Sequence, residues 1–292
     1  MPVFDGRDVS YEEYRYLMGV RNRTVMEQVD TLATRETLQV VEVARDLGRQ
    51  EMGGFLRTTM PPIVDKYGQI NATAALDYYN QTKAAWYTEN AGAAPLNAAA
   101  RRRFRQSRNQ RSARFASARL EAEIYIATRP EFNLAAKVDG IVNYAMATFS
   151  KDGFDPMKPA ITNSLTRALA SYQRDTVLFN SALDSDVFKV QRVARPNACS
   201  FCRVVAFESY QGDDVRTTDY AVDFHDNCHC TIETLYLGDR PIRPDYYDTF
   251  ERQYTEATQY VNNPDYQVPD VDGQLTGAKE IFSAMRQVTG AK

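Results

Sequence analysis

Apolar residues recur at helical spacing through the first half of the chain. Tyr14, Leu17 and Met18 follow "SYEE" (10–13), whose Ser10 and Glu13 have capping-box spacing, so a helix is predicted to start there. Leu38, Val41, Ala44 and Leu47 predict a second helix from about Thr34 to about Phe55, broken by Gly53-Gly54 and Pro61-Pro62. Asn71 is placed to cap a third, carrying Ala75, Leu76, Tyr79 and Trp86. "NAGAAPLN" (90–97) reads as a loop or boundary, and two more amphipathic helices are expected within 131–149 and 158–183.

The period changes at "VFKVQRVA" (187–194). Val187, Lys189, Gln191 and Val193 alternate with Phe188, Val190, Arg192 and Ala194, which suits a strand. "CRVVAFES" (202–209) suits a short helix, and "CHCTIETLYL" (228–237) is β-rich in residue type. Past Gly238, four prolines punctuate two further helical stretches, 246–261 and 276–288. The expected class is α+β, mostly α-helical. It comprises a helical N-terminal region (1–95), a helical region with a basic stretch (96–184), a small α/β module (185–238), and an extended linker with a helical tail (239–292).

Composition narrows the functional classes. Hydrophobic residues make up 43% of the 292, enough for a packed core, and the net charge of −3 gives no global attraction to nucleic acid or anionic membranes. No apolar run approaches the ~18–20 residues that a membrane span requires. The opening "MPVFDGRDVSYEEYRY" lacks a basic stretch followed by an apolar one, so the expectation is a chain made in a cytoplasm. One segment departs from the balance: 101–119 holds eight arginines and no acid. Arg101, Arg102, Arg103, Arg105, Arg108 and Arg111 could meet phosphate or an acidic partner, or form a solvated helix face neutralised elsewhere.

Every cysteine and histidine falls within residues 199–230. Cys199-x2-Cys202 followed by His225-x2-Cys228-x-Cys230 offers five strong ligands to an ion that needs four. Cys228 and Cys230, two apart, would point to one face of a strand, leaving His229 facing away. Structural disulfides suit a cytoplasmic chain poorly. A cysteine nucleophile needs a histidine held apart from competing thiols, and both histidines sit among them. Four buried, metal-free cysteines are the plain alternative. A structural Zn2+ is the reading preferred, with four-cysteine and three-cysteine-one-histidine sets both open. Asp223 and Asp226 flank His225, but four or five protein ligands leave no vacancy for a catalytic water.

"VQRVARPNACSFC" together with "FHDNCHCTI" resembles the C-terminal domain of the phage Mu F-like minor head proteins, the head-morphogenesis family of tailed bacteriophages. Cys199, Cys202, His225, Asn227, Cys228 and Cys230 match that family's pattern, with Asp226 in place of its proline and His229 in place of its arginine. "KYGQINATAALDYYNQTKAAW" (66–86) is similar to the helical part of the actinobacteriophage members. The resemblance implies a minor capsid protein, assembled in the host cytoplasm and carried in the virion, in the capsid interior or at the portal vertex. Its implied role is head assembly, with DNA packaging or delivery beside it, and its implied partners are the portal or the major capsid protein; the arginine stretch adds a candidate DNA contact, and no membrane is expected.

Two other classes stand beside it. One is a phage enzyme, either a capsid maturation protease or a transferase. A Ser-His protease needs a histidine base, and both histidines lie in the thiol cluster. Glu121-x-Glu123, a pair seen in ADP-ribosyltransferases, lacks a supporting Arg or Ser-Thr-Ser motif. The other is a nucleic-acid-binding zinc protein, whose arginines lie far upstream of its ligands. The expectation is therefore a chain with no enzymatic activity.

Overall fold

The computed structural model describes residues 2–90, 127–184, 186–211, 228, 230–263 and, in the tail, 281, 284–286 and 288. The arginine stretch with Arg101, Arg102, Arg103, Arg105, Arg108 and Arg111, the Glu121/Glu123 pair, His225 and His229 lie outside the described residues.

The chain opens with a tiny hairpin, β1 (Val3–Phe4) and β2 (Arg7–Asp8), turning on Asp5 and Gly6, both at positive φ. This is the backbone that an Asp-Gly hairpin turn requires. Phe4 packs edge-on against Tyr14 at 6.2 Å, fixing the hairpin over the start of α1 (Tyr11–Val43). Ser10 caps that helix as its spacing predicts, its Oγ accepting the Glu13 N–H at 3.1 Å.

The next boundary falls elsewhere than predicted. No helix begins near Thr34; α1 runs through it to Val43, and the chain turns over residues 44–48. Then α2 (Arg49–Asn90) continues through Gly53-Gly54, Pro61-Pro62 and Asn71 for 42 residues. Two helix-interior prolines cost about 3 kcal/mol each. Against this, Met52, Leu56, Met60, Ile63, Val64 and Tyr67 form one buried stripe that passes the proline pair in register. At about 1.5–3 kcal/mol per buried side chain, the stripe outweighs the breakers. Asn71 is no cap: buried mid-helix, its Nδ2 donates across to the Leu169 carbonyl at 3.0 Å.

Helices α3 (Leu134–Asp152) and α4 (Phe154–Leu183) meet the two later expectations, parted by Gly153 at φ 91°. Gly68 lets α2 and α4 touch, since a Cβ there would lie 2.5 Å from the Tyr172 ring. After α4 come β3 (Val187–Val193), α5 (Ser200–Gln211), β4 (Thr231–Tyr236) and α6 (Tyr247–Val261). Strands β3 and β4 pair antiparallel, Val190 opposite Thr234 and Val193 opposite Thr231. The architecture is α+β and mostly α-helical, as the pattern predicted.

Two large cores result. At one end α1, α2, α3 and α4 enclose Val41, Leu56, Val64, Val142, Ile161 and Leu165. At the other, the sheet and α5 pack on Tyr11, Tyr14 and Met18 of α1, Tyr78, Tyr79 and Trp86 of α2, and Val177 of α4. The small sheet is thus roofed by the long helices. That is why six of the seven residues of β3 are buried instead of alternating with solvent.

Candidate metal centre

Strand β3 delivers the chain into a short turn that ends at Cys199, directly before α5. The Cys199 carbonyl accepts the Arg203 N–H at 3.0 Å, so Cys199 occupies the cap position of that helix. Its Sγ accepts the Cys202 N–H at 3.5 Å, as a capping side chain does. Three residues on, Cys202 lies on the same face of the first turn and points into the core. Cys228 and Cys230 arrive from the other side, just ahead of β4, which begins at Thr231, and so not on the strand where their spacing had placed them. Both are buried as well.

The three buried sulfurs converge. Those of Cys202, Cys228 and Cys230 all lie within 4.8 Å of one another, and Cys202 and Cys228 are 3.5 Å apart. All four described cysteines are free thiols, and Cys199, at the edge of the cluster, is exposed. Tetrahedral zinc with Zn–S bonds of ~2.3 Å separates its sulfurs by roughly 3.8 Å, so three buried sulfurs at this spacing fit a metal ion.

The electrostatics fit too. Hydrogen bonds from the Cys202 and Cys230 thiols push Cys228 well down, and Arg174 and Arg192 add to the effect. Cys202 moves up through its hydrogen bonding with Cys199, Cys228 and Cys230. The Cys202 hydrogen bond pulls Cys230 down, but its bond to Cys228 and its burial prevail and leave it raised to about 11. The three sulfurs converge on one buried point, a set that a soft cation can take over by displacing the thiol protons.

Two guanidiniums that sequence reasoning missed surround it. Arg192, on β3, donates from Nη2 to Cys202 Sγ at 3.3 Å and to Cys228 Sγ at 3.5 Å. Burial works against its charge, but the facing sulfurs of Cys230, Cys202 and Cys228 more than offset that, so its affinity for the proton rises. Arg174, on α4, donates from Nε to the Cys230 carbonyl at 3.1 Å and from Nη2 to the Cys228 carbonyl, gripping the ligand-bearing backbone. Burial pushes Arg174 down. The available signal was a charged residue within a strand otherwise bound for the core, with Arg192 sharing the parity of Val190 and Ala194.

A second buried network seats β4 on the helices. Glu233 accepts from Thr231 Oγ1 at 2.8 Å and from the Tyr78 hydroxyl, and its carboxylate occupies the space that Gly19 leaves on α1. Beside it Arg15 pairs with Asp239 at 2.6 Å, both side chains at most 3% exposed. Burial raises Asp239 more than Arg15 lowers it, while Arg15 itself is held charged. The close contact and the Tyr11 hydroxyl donating to the same carboxylate oxygen at 3.0 Å identify an ion pair.

Residues 116–257, a little under half of the chain, match a phage-associated family described as "VG15 protein". The stretch takes in α3, α4, the β3–β4 pair, α5, most of α6 and the whole thiol cluster. No curated protein and no solved structure matches the chain. The chain is thus similar to a phage protein over this stretch. No helix among the described residues is long and apolar enough to cross a membrane.

Proposed function

We propose that this chain is a minor structural protein of a tailed-phage head, acting in head assembly at or near the portal. In this reading one Zn2+ serves as an internal staple. The observation that carries it is the position of the thiol cluster: sealed in the core, and inside the segment similar to a phage family. Cys202, Cys228 and Cys230 hold the ion, and Cys199, whose sulfur already bonds with Cys202, supplies the fourth thiolate. A buried, thiolate-rich ion is a weak Lewis acid without room for substrate, so the site holds the fold and carries out no reaction. The portal or the major capsid protein is the partner, and the chain ends in the virion.

Purified particles should contain the chain, and co-expressed portal should retain it. Its absence from particles would overturn the assembly role. So would cleavage of the major capsid precursor that a point substitution abolishes. Metal analysis should find about one zinc per chain. Zinc-free protein with four freely reactive thiols would remove the staple.

A further inference from the structure

We propose that Arg192 is the positioning residue of the metal centre, a buried guanidinium that spaces two ligands from different elements and balances the charge of the complex. The inference rests on the metal reading above.

A divalent ion bound by three or four thiolates carries a net negative charge. Such a charge in a core of low dielectric is costly unless a fixed positive group faces it. Arginine suits this role because it stays protonated and presents several N–H groups in a rigid plane. Arg192 is fully buried and reaches Cys202, which belongs to α5, and Cys228, which precedes β4, from a single nitrogen. It thereby ties together the two halves of a ligand set that are 26 residues apart in the chain.

Its own placement is fixed from three sides. The Phe201 ring lies 5.5 Å from its guanidinium carbon, the Ser209 hydroxyl accepts its backbone N–H at 2.9 Å, and β4 pairs with it opposite Ile232. Arg174 divides the labour, since it grips the carbonyls of Cys228 and Cys230 while Arg192 addresses the sulfurs. Such outer partners typically govern metal affinity by 10–100-fold. The chemistry selected is a soft divalent cation in an anionic thiolate complex; hard calcium and magnesium prefer oxygen ligands.

The test uses the full zinc-loaded chain, with zinc transfer to a chromophoric chelator and cobalt substitution as readouts. Arg192→Met should lower zinc affinity by about 10–100-fold, and Arg192→Lys, which keeps the charge but not the rigid planar guanidinium, should fall between. Both should shift the sulfur-to-cobalt charge-transfer bands, which a purely structural role would leave in place. Should Arg192→Met fail to fold, Arg192→Lys decides alone: weaker zinc and a shifted cobalt spectrum support the inference. A wild-type chain that holds zinc beside variants of equal affinity and spectrum overturns this inference and leaves the metal reading intact. A wild-type chain that holds no zinc overturns both.

Discussion

The two ends of this molecule are built on opposite chemistry, although the same long helices run through both. The helical end, around Leu56, Val64, Val142 and Ile161, is held by apolar side chains and a few uncharged polar ones such as Asn71. The sheet end buries Arg15, Arg174, Arg192, Lys189, Gln191, Glu233, Asp184 and three cysteines among its apolar residues. Each buried polar group there must meet a specific partner. Gln191, for example, exchanges two 2.8 Å hydrogen bonds with the backbone of Ile242. An apolar core fixes a shape loosely and tolerates exchange of like for like, whereas a core of paired charges admits one arrangement and fails when a partner goes.

The comparison should show most strongly on metal removal. Chelation, or Cys228→Ser, should expose the amides of β3, β4 and α5 to hydrogen exchange while α2 near Leu56 and α3 near Val142 stay protected. The loss should reach several kcal/mol, below the ~10 kcal/mol or more that isolated zinc-dependent modules owe to their metal, because the helices also cover this sheet. Equal deprotection of both ends would erase the distinction. Next in size is Asp239→Asn, which strands Arg15 as an uncompensated buried charge. About 3–5 kcal/mol should be lost in a urea titration, and a loss under 1 kcal/mol would mean that solvent reaches the pair.

Much of this division could be read from residues, and the exceptions have physical causes. Ser10 and the late helices were legible because local pattern and burial agree there; the strands were legible by residue type, although the long helices bury both of their faces. Pro61-Pro62 and Gly53-Gly54 misled because a six-residue buried stripe outweighs the local preference to break, and stripes are satisfied only by partners distant in sequence. The hairpin at Asp5-Gly6 carried its turn signal in too short a stretch to stand out. The spacing of the cysteines announced a cluster, and three of the four now share one buried point. Arg192 was marked only as a charge in a core-bound strand and Arg174 by nothing local, since an arginine's role depends on what it faces after folding.

A milder contrast should come from substitutions that preserve size. Met60→Leu, in the apolar stripe of α2, keeps volume and should cost less than about 1.5 kcal/mol. Arg15→Met, also near in volume, should cost more, because it leaves Asp239 and its Tyr11 partner facing an apolar chain. Paired thermal melts would rank the two, and a reversed order would count against the comparison.

The smallest expected effect is one of sign. Asp239 is raised, by burial before all else, so its folded form binds a proton more firmly than its unfolded form. Its contribution to stability is fully present below the ordinary value of ~3.9 and is lost as pH rises through the folded value. Glu36, exposed at the helical end, is lowered by hydrogen bonds from Lys66 and Tyr67, both at 2.9 Å. Its contribution is present above ~4.3 and is lost as pH falls through its folded value. Urea midpoints followed upward from about pH 2, which takes in the Glu36 window below ~4.3 and the Asp239 window above ~3.9, should therefore respond oppositely to the two neutral replacements. Asp239→Asn removes a falling component and should make stability rise more steeply with pH than in the wild type. Glu36→Gln removes a rising component and should flatten the same curve, by less, because solvent screens the exposed group. Slope changes of the same sign would mean that the two carboxylates share one environment and that the ends differ less than their packing implies.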